Sequence, residues 1–141
     1  MKHLVVDASV VVKLFFEEEY SQSAERIVAS AEELLAPDLI WAETANVIWK
    51  RHRNGEISPE DAAAIGAQIA ALPLNIHDSG GLIADALDLA MQTGRTVYDC
   101  LYLAVAVKTG SILATGDRRL ANALAGGPME AFVAWIGREV P

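Results

Sequence analysis

Apolar residues follow two patterns along this chain, and the two patterns alternate. Short runs of aliphatic and β-branched residues predict buried strands, whereas apolar residues that recur every three or four positions predict amphipathic helices. Strands that alternate with helices of this length favour an α/β fold with a mainly parallel central sheet flanked by helices. Strands are predicted at 4–6, 34–36, 73–77 and 111–115, helices at 21–30, 39–53, 58–72, 79–93 and 100–107, a short helix or turn at 10–16, and an edge strand or a helix at 129–140.

Residues that favour helix ends support these boundaries. Asp38 is expected to cap the helix that follows it, and Ser58 with Pro59 after it is typical of a helix start. Gly94 suits the left-handed backbone with which many helices end. The segment at 100–107 is apolar on every side, which predicts a helix at the centre of the molecule.

Carboxylates stand close to the ends of several predicted elements. Asp7 follows the first strand, and Asp117 follows the strand at 111–115. In an open α/β sheet, the carboxyl ends of the strands meet at a crevice where ligands bind. Asp99 at the start of the central helix and Glu43, on a helix face shared with apolar residues, are expected to reach the same crevice. The pattern therefore predicts four acids gathered around Asp7.

Each acid also has an ordinary structural explanation. Asp99 and Asp117 could cap helices, and Glu43 could pair with a nearby cation. As a set, clustered carboxylates repel and raise one another's pKa unless a cation lies between them. Oxygen ligands of this kind suit Mg²⁺ or Mn²⁺, which can activate a water and stabilise the leaving oxygen in phosphodiester cleavage.

Three polar residues are placed to support the acids. Ser9 and Thr115 each lie two residues from an acid that follows a strand, and we expect their hydroxyls to orient those carboxylates. Asn46 lies on or near the helix face that carries Glu43, and we expect it to support the acids as well.

The net charge argues against simple nucleic-acid binding. The chain has 11 basic and 19 acidic residues, a balance of −8, which is the wrong sign for a protein that coats nucleic acid. A nuclease is not excluded, because an acidic cluster can hold cations. The cations expected beside the crevice, where they would bind the phosphates of RNA, are Arg118, Arg119 and Lys13. The basic run at 50–53 either stabilises the end of its helix through the helix dipole or contacts RNA, and both interpretations stay open.

Other features bear on compartment and assembly. Cys100 is the only cysteine, so no internal disulfide forms and a core position is expected. No apolar run reaches the roughly 18 residues of a membrane helix, and no secretory signal is evident, so a cytoplasmic protein without membrane contact is expected. Trp41 and Trp49 lie within about 80° on one helix, which favours a homodimer that uses this helix, unless both rings belong to the core.

Four segments resemble the motif blocks of PIN-domain ribonucleases, and most closely those of the VapC toxins of VapBC toxin–antitoxin pairs. The blocks occur in order, at the family's spacing, and span nearly the whole chain. The segment at 132–136 matches only loosely, because Trp135 is less usual there. The blocks are VVDASV at 5–10, ETANV at 43–47, YDCLYLA at 98–104 and TGDRRL at 115–120.

The resemblance implies a single PIN-like nuclease domain over residues 1–141 that acts as a metal-dependent endoribonuclease with Mg²⁺ or Mn²⁺. It also implies a toxin that cleaves RNA, is usually dimeric, and is silenced by an antitoxin protein. Specific DNA binding by this chain alone is not expected. Because the crevice is acidic, the antitoxin should insert an Arg or Lys there. The resemblance assigns Thr115 as a supporting hydroxyl and metal coordination to Asp7, Glu43, Asp99 and Asp117.

Two other functions fit parts of the pattern. A PIN-like module could bind partners without cleaving RNA, although the presence of all four acids argues against it. A phosphoryl-transfer enzyme could use Asp7 as a covalent nucleophile. That chemistry usually needs a second acid two residues later, where this chain has Ser9, and a Lys near the phosphate, for which no match is evident.

Overall fold

The computed structural model describes residues 3–138 and shows an α/β fold built on a parallel sheet. No helix within that range is both long and apolar enough to cross a membrane. The strands are β1 (His3–Val6), β2 (Glu33–Pro37), β3 (Leu74–His77), β4 (Ile112–Thr115) and β5 (Val133–Trp135). The helices are α1 (Ala8–Val12), α2 (Ser21–Ser30), α3 (Leu39–Arg53), α4 (Pro59–Ala70), α5 (Ser79–Thr93), α6 (Val97–Thr109) and α7 (Arg118–Leu124).

The order of the strands creates the place where a site can form. The sheet runs β3-β2-β1-β4-β5, and every neighbouring pair is parallel. After β1 the chain adds β2 and β3 on one side, and it later adds β4 and β5 on the other. The strand order therefore reverses between β1 and β4. In open α/β sheets, ligands bind beyond the carboxyl ends of the strands at such a switch point.

Burial explains why β1 and α6 occupy the centre. Leu4, Val5 and Val6 are fully buried, as expected for a parallel strand that is covered on both faces. In α6 every residue from Cys100 to Ala106 is buried, which confirms the prediction that this helix is central and Cys100 part of the core. Each large apolar side chain buried in this way contributes about 1.5–3 kcal/mol to stability.

Two of the predicted helix ends are confirmed and one is wrong. The Ser58 hydroxyl accepts the Asp61 N–H at 3.0 Å, and Gly94 ends α5 with a φ of 75°. Asp38 does not cap α3, because its backbone is helical rather than extended and its carboxylate turns away. That carboxylate instead accepts hydrogen bonds from the hydroxyl and the N–H of Ser79, which lower the Asp38 pKa and tie the start of α5 to α3.

The C-terminal segment resolves the alternative left open by the sequence. A 3-10 turn at Glu130–Phe132 leads into β5, which pairs in parallel with β4 at the edge of the sheet. Residues 139–140 of the predicted segment, and both ends of the predicted 1–141 domain, lie outside the described residues. The first helix is also shorter and earlier than the predicted 10–16, because Asp7 caps it at Ala8.

Candidate active site

The four predicted acids line one cavity of about 170 Å³ at the switch point. Asp7 follows β1, and Asp117 follows β4, so the two neighbouring strands deliver them to the same edge of the sheet. Glu43 reaches the cavity from α3, and Asp99 reaches it from the first turn of α6. The cavity is lined by Asp7, Ala8, Ser9, Glu43, Asp99, Tyr102, Asp117 and Leu120.

Asp7 is buried and held by three hydrogen bonds. The hydroxyls of Ser9 and Thr115 donate to its two carboxylate oxygens, each at 2.5 Å, and the Val10 N–H donates at 3.2 Å. Burial raises the pKa of Asp7 to about 6, because loss of water destabilises the charged form more than these hydrogen bonds favour it. The negative charge of Glu43 raises this pKa further.

Ser9 and Thr115 also connect the ends of β1 and β4. Ser9 Oγ accepts the Gly116 N–H at 2.8 Å, and Thr115 Oγ1 accepts the Asp117 N–H at 3.0 Å. A Cβ atom on Gly116 would lie 3.0 Å from both Ser9 Oγ and the Lys13 Cε, so a larger residue here would push these two side chains aside by a few tenths of an ångström. The two hydroxyls therefore hold Asp7 and fix the backbone that carries Asp117.

Glu43 is partnered by a tyrosine rather than by a cation. The Tyr102 hydroxyl donates to Glu43 Oε1 at 2.5 Å. Burial raises the pKa of Glu43, and the charge of Asp99 acts in the same direction, whereas the hydrogen bond lowers it. The pKa of Tyr102 lies well above its ordinary value, because its ring is buried and its proton is held by a carboxylate.

Asp99 is not a helix cap, because Thr96 caps α6 and accepts the Asp99 N–H at 3.1 Å. Arg95 Nη2 instead donates to Asp99 Oδ2 at 3.1 Å. Arg95 Nε is buried without a hydrogen-bond partner among residues 3–138. Neither Arg95 nor Tyr102 was predicted. The available signal was spacing: Tyr102 lies three residues after Asp99 on the same side of α6, and Arg95 lies four residues before Asp99, in the turn that leads into the helix.

Asp117 is the N-cap of α7, which is the ordinary structural role that its sequence position allowed. Its Oδ1 accepts the N–H groups of Arg119 at 2.9 Å and Leu120 at 3.4 Å. Both bonds use the same oxygen, and the side chain still lines the acidic cavity. A capping role and a ligand role are therefore compatible in this carboxylate.

The remaining predicted residues lie around the cavity rather than in its lining. Asn46 is exposed and lines a neighbouring groove together with Glu43. The Lys13 amine pairs with Glu18 at 3.1 Å, so part of its charge is already balanced. Arg118 and Arg119 are both exposed directly after the capping acid.

The basic run at the end of α3 is partly committed to structure. Arg51 forms ion pairs with Glu18 and Glu56, and its guanidinium lies 4.3 Å from the centroid of the Phe16 ring. This residue therefore connects α3 to the loop after α1. Its contacts favour a structural role for Arg51 over contact with a nucleic acid.

The donor types fit a hard divalent cation, although the side chains form no ready-made cluster. The cavity offers carboxylate oxygens, which suit Mg²⁺ or Mn²⁺, and its buried acids have raised pKa values that a cation would relieve. Within residues 3–138, no group of three or more Asp, Glu, His or Cys is arranged to hold a metal ion. Tyr102, Arg95 and the α7 backbone each hold one of the acids.

The structure is that of an open-sheet α/β protein with an acid-lined cavity at the switch point of its parallel sheet. Comparisons with known proteins identify its family. The PIN domain family model matches residues 4–124. Ribonuclease VapC3 of Pyrobaculum aerophilum is 41% identical over 121 residues, which cover 84% of this chain and 92% of that protein. The chain therefore belongs to the PIN-domain family, in its VapC branch, which confirms the resemblance seen in the sequence.

Solved structures share the same fold. PAE2754 from Pyrobaculum aerophilum has a TM-score of 0.69 at 23% identity and covers 96% of this chain and 85% of its own. A toxin–antitoxin complex from Klebsiella pneumoniae has a TM-score of 0.66 at 17% identity, with 97% and 99% covered. These similarities confirm the predicted α/β fold with a parallel central sheet.

Proposed function

We propose that this chain is a divalent-metal-dependent endoribonuclease and the toxin of a type II toxin–antitoxin pair. The observation that carries the proposal is the convergence of Asp7, Glu43, Asp99 and Asp117 on one cavity at the switch point of a PIN-family sheet. The named ribonuclease that is 41% identical supports RNA as the substrate. The reaction would be hydrolysis of a phosphodiester bond.

Each side chain of the cavity has a separate part in this function. The four acids would hold Mg²⁺ or Mn²⁺, which supplies an activated water and stabilises the leaving oxygen when bound. Ser9 and Thr115 keep both oxygens of Asp7 oriented. Burial around Asp7 keeps bulk water from its carboxylate, so a bound cation would stabilise the charged form of this side chain. Exposed cations after Asp117 would hold the phosphates of the RNA.

The same cavity accounts for silencing by an antitoxin. The Klebsiella pneumoniae neighbour is a toxin–antitoxin complex, which supports an antitoxin partner for this chain. A partner segment with an Arg or Lys would satisfy the acids of the cavity, because guanidinium groups pair bidentately with carboxylates. Cleavage of cellular RNA and control by an antitoxin would place the protein in the cytoplasm.

Cleavage of a structured RNA by purified protein tests the proposal. After treatment with EDTA the protein should be inactive, and Mn²⁺ or Mg²⁺ should restore endonucleolytic cleavage. Asp7→Asn keeps the shape of the side chain, so it should fold and yet lose orders of magnitude in rate. Wild-type cleavage in EDTA, or full activity of Asp7→Asn, would contradict metal dependence. A folded wild-type protein that binds RNA but never cleaves it would favour the alternative, an inactive PIN-like binding module.

A further inference from the structure

Three side chains form an aromatic and cationic cluster beside the acidic cavity. The Arg118 guanidinium lies 4.9 Å from the centroid of the Trp135 ring, and the Tyr20 ring meets that indole edge to face at 5.3 Å. Tyr20 has a φ of 68°, a conformation that residues with side chains rarely adopt. Arg118 is exposed as a residue, and its guanidinium contacts the Trp135 ring.

Trp135 also lines a cavity of about 240 Å³ between α7 and β5. Asn122, Glu130 and Arg138 contribute polar groups to the lining of this cavity, and the rest of the lining is small or apolar. The Trp135 Nε1–H is buried and has no hydrogen-bond partner within the described part of the chain. A buried donor of this kind needs an acceptor, which a ligand or a water can supply.

The cluster lies one strand away from the acids. Trp135 is the register partner of Thr115, whose hydroxyl holds Asp7, and neighbouring strands are about 4.8 Å apart. Arg118 directly follows Asp117, which lines the acidic cavity. A nucleotide bound at the cluster would therefore be next to a phosphate bound at the acids.

We propose that Tyr20, Arg118 and Trp135 form a subsite for an unpaired base of RNA beside the scissile phosphate. This proposal rests on the endoribonuclease function and extends it to substrate recognition. Single-stranded RNA is held by stacking of bases on aromatic rings and on Arg guanidinium planes, and base edges are distinguished by hydrogen bonds. Asn122 offers a donor and an acceptor, and Glu130 an acceptor, for such an edge.

The subsite is tested by RNA binding without cleavage. Asp7→Asn protein in EDTA is titrated into a fluorescently labelled single-stranded RNA, and anisotropy gives the Kd. Adding Trp135→Leu should weaken binding by about 5- to 150-fold, the range that corresponds to loss of one base–aromatic stack. Trp135→Phe should retain part of the affinity, because a smaller ring still stacks.

Trp49→Leu is the matched control, because Arg53 lies 4.6 Å from the Trp49 ring in a second Arg–Trp pair on α3. We expect it to leave the Kd within about twofold. Thermal unfolding checks that each variant is folded. Photocrosslinking of RNA that contains 5-bromouracil to the unmutated protein needs no variant, and it should label the peptides of Tyr20 or Trp135.

The outcomes separate the two proposals. If the unmutated protein cleaves RNA but Trp135→Leu and Trp49→Leu bind it equally, or if crosslinks map only to other peptides, the subsite is wrong and the nuclease function stands. If the unmutated protein neither binds nor cleaves RNA, the proposed function fails and the subsite fails with it.

Discussion

Asp7 makes the stability of the metal-free protein depend on pH. Its pKa is raised from 3.8 to about 6, so the folded state binds this proton more tightly than the unfolded state does. The resulting stabilisation is complete below the unfolded pKa of 3.8 and is lost as the pH rises through about 6. At about pH 8 the wild-type protein therefore contains a buried charge that opposes folding.

Asp7→Asn removes this charge while keeping the shape of the side chain. We expect the variant to be more stable than the wild type at about pH 8, by up to about 3 kcal/mol, because one pKa unit corresponds to 1.36 kcal/mol. The advantage should shrink toward zero near pH 4. Urea denaturation in EDTA at several pH values measures it. A difference that does not change with pH would show that the Asp7 charge is not its cause.

Tyr102 is predicted to stabilise the site through one hydroxyl. Removal of that hydroxyl in Tyr102→Phe takes away the partner of Glu43, and hydrogen bonds to charged groups contribute about 1.5–3 kcal/mol. Tyr98→Phe on the same helix is the control, because Tyr98 is 63% exposed and a surface change of this kind stays within about 0.5 kcal/mol. Equal denaturation midpoints for the two variants would show that the contact adds no stability.

The contrast between Asp7 and Tyr102 shows which site residues a sequence reveals. A carboxylate directly after an apolar strand is conspicuous, because packing alone does not explain it. Tyr102 lies within a run of buried residues and looks like any other core aromatic until Glu43 is placed against it. The support that Asn46 gives to the acids stays a prediction, since its side chain shares a neighbouring groove with Glu43 and does not line the cavity of the acids.

The start of α7 allows the two roles of Asp117 to be separated. Asn is as good an N-cap as Asp, so Asp117→Asn should keep wild-type stability and lose cleavage activity. Asp117→Ala should lose the activity and also about 0.5–2 kcal/mol of stability, because two backbone N–H groups lose their acceptor. Thermal denaturation and RNA cleavage of the same samples measure both effects. If Asp117→Asn cleaves like the wild type, capping is the only role of this carboxylate.

Elements were predictable where local signals and burial agree. The central helix α6 was evident because apolar residues occupy every side of it, and the prediction is confirmed by its burial. The prediction that Asp38 caps α3 is wrong although its sequence position suits a cap, because its carboxylate bonds instead to Ser79, 41 residues away. The sequence did not decide between a strand and a helix at β5, because the residues with which β5 pairs lie on β4, far away in the sequence. Long-range pairing of this kind leaves no local pattern.

The whole molecule is acidic, although it carries exposed cations next to the acidic cavity, at Arg118 and Arg119. Its net charge is −8, so in the proposed function the attraction to RNA would have to come from a few exposed cations near the acids and from the proposed metal ions. Lys13 and Arg51 both form ion pairs with Glu18, so part of their positive charge is balanced and less of it can attract RNA phosphates. Arg118 is exposed and lies 4.9 Å from the Trp135 ring, with no acidic partner at that contact among residues 3–138, so its charge adds to the attraction of RNA toward the proposed base subsite on the β5 side of the cavity.

Exposed apolar side chains bear on the predicted homodimer. Trp41 packs against the core, so only Trp49, which is 52% exposed, remains from the pair that suggested a dimer. Helix α5 carries a second apolar surface, in which Ile83, Leu87 and Met91 follow one another at four-residue intervals and are each about half exposed or more. A stable dimer buries roughly 1,200–2,000 Å² in total, more than one tryptophan can supply.

We therefore predict a homodimer at micromolar concentration, measured by light scattering after size-exclusion chromatography. Trp49→Glu should shift the protein to monomer if α3 contributes to the interface, because a carboxylate in an apolar contact loses its water without gaining a partner. Leu87→Glu makes the same change on α5, and comparison of the two variants identifies the helix that forms the contact. A wild-type protein that remains monomeric would show the prediction to be wrong, and both surfaces would then be open to other partners such as the proposed antitoxin.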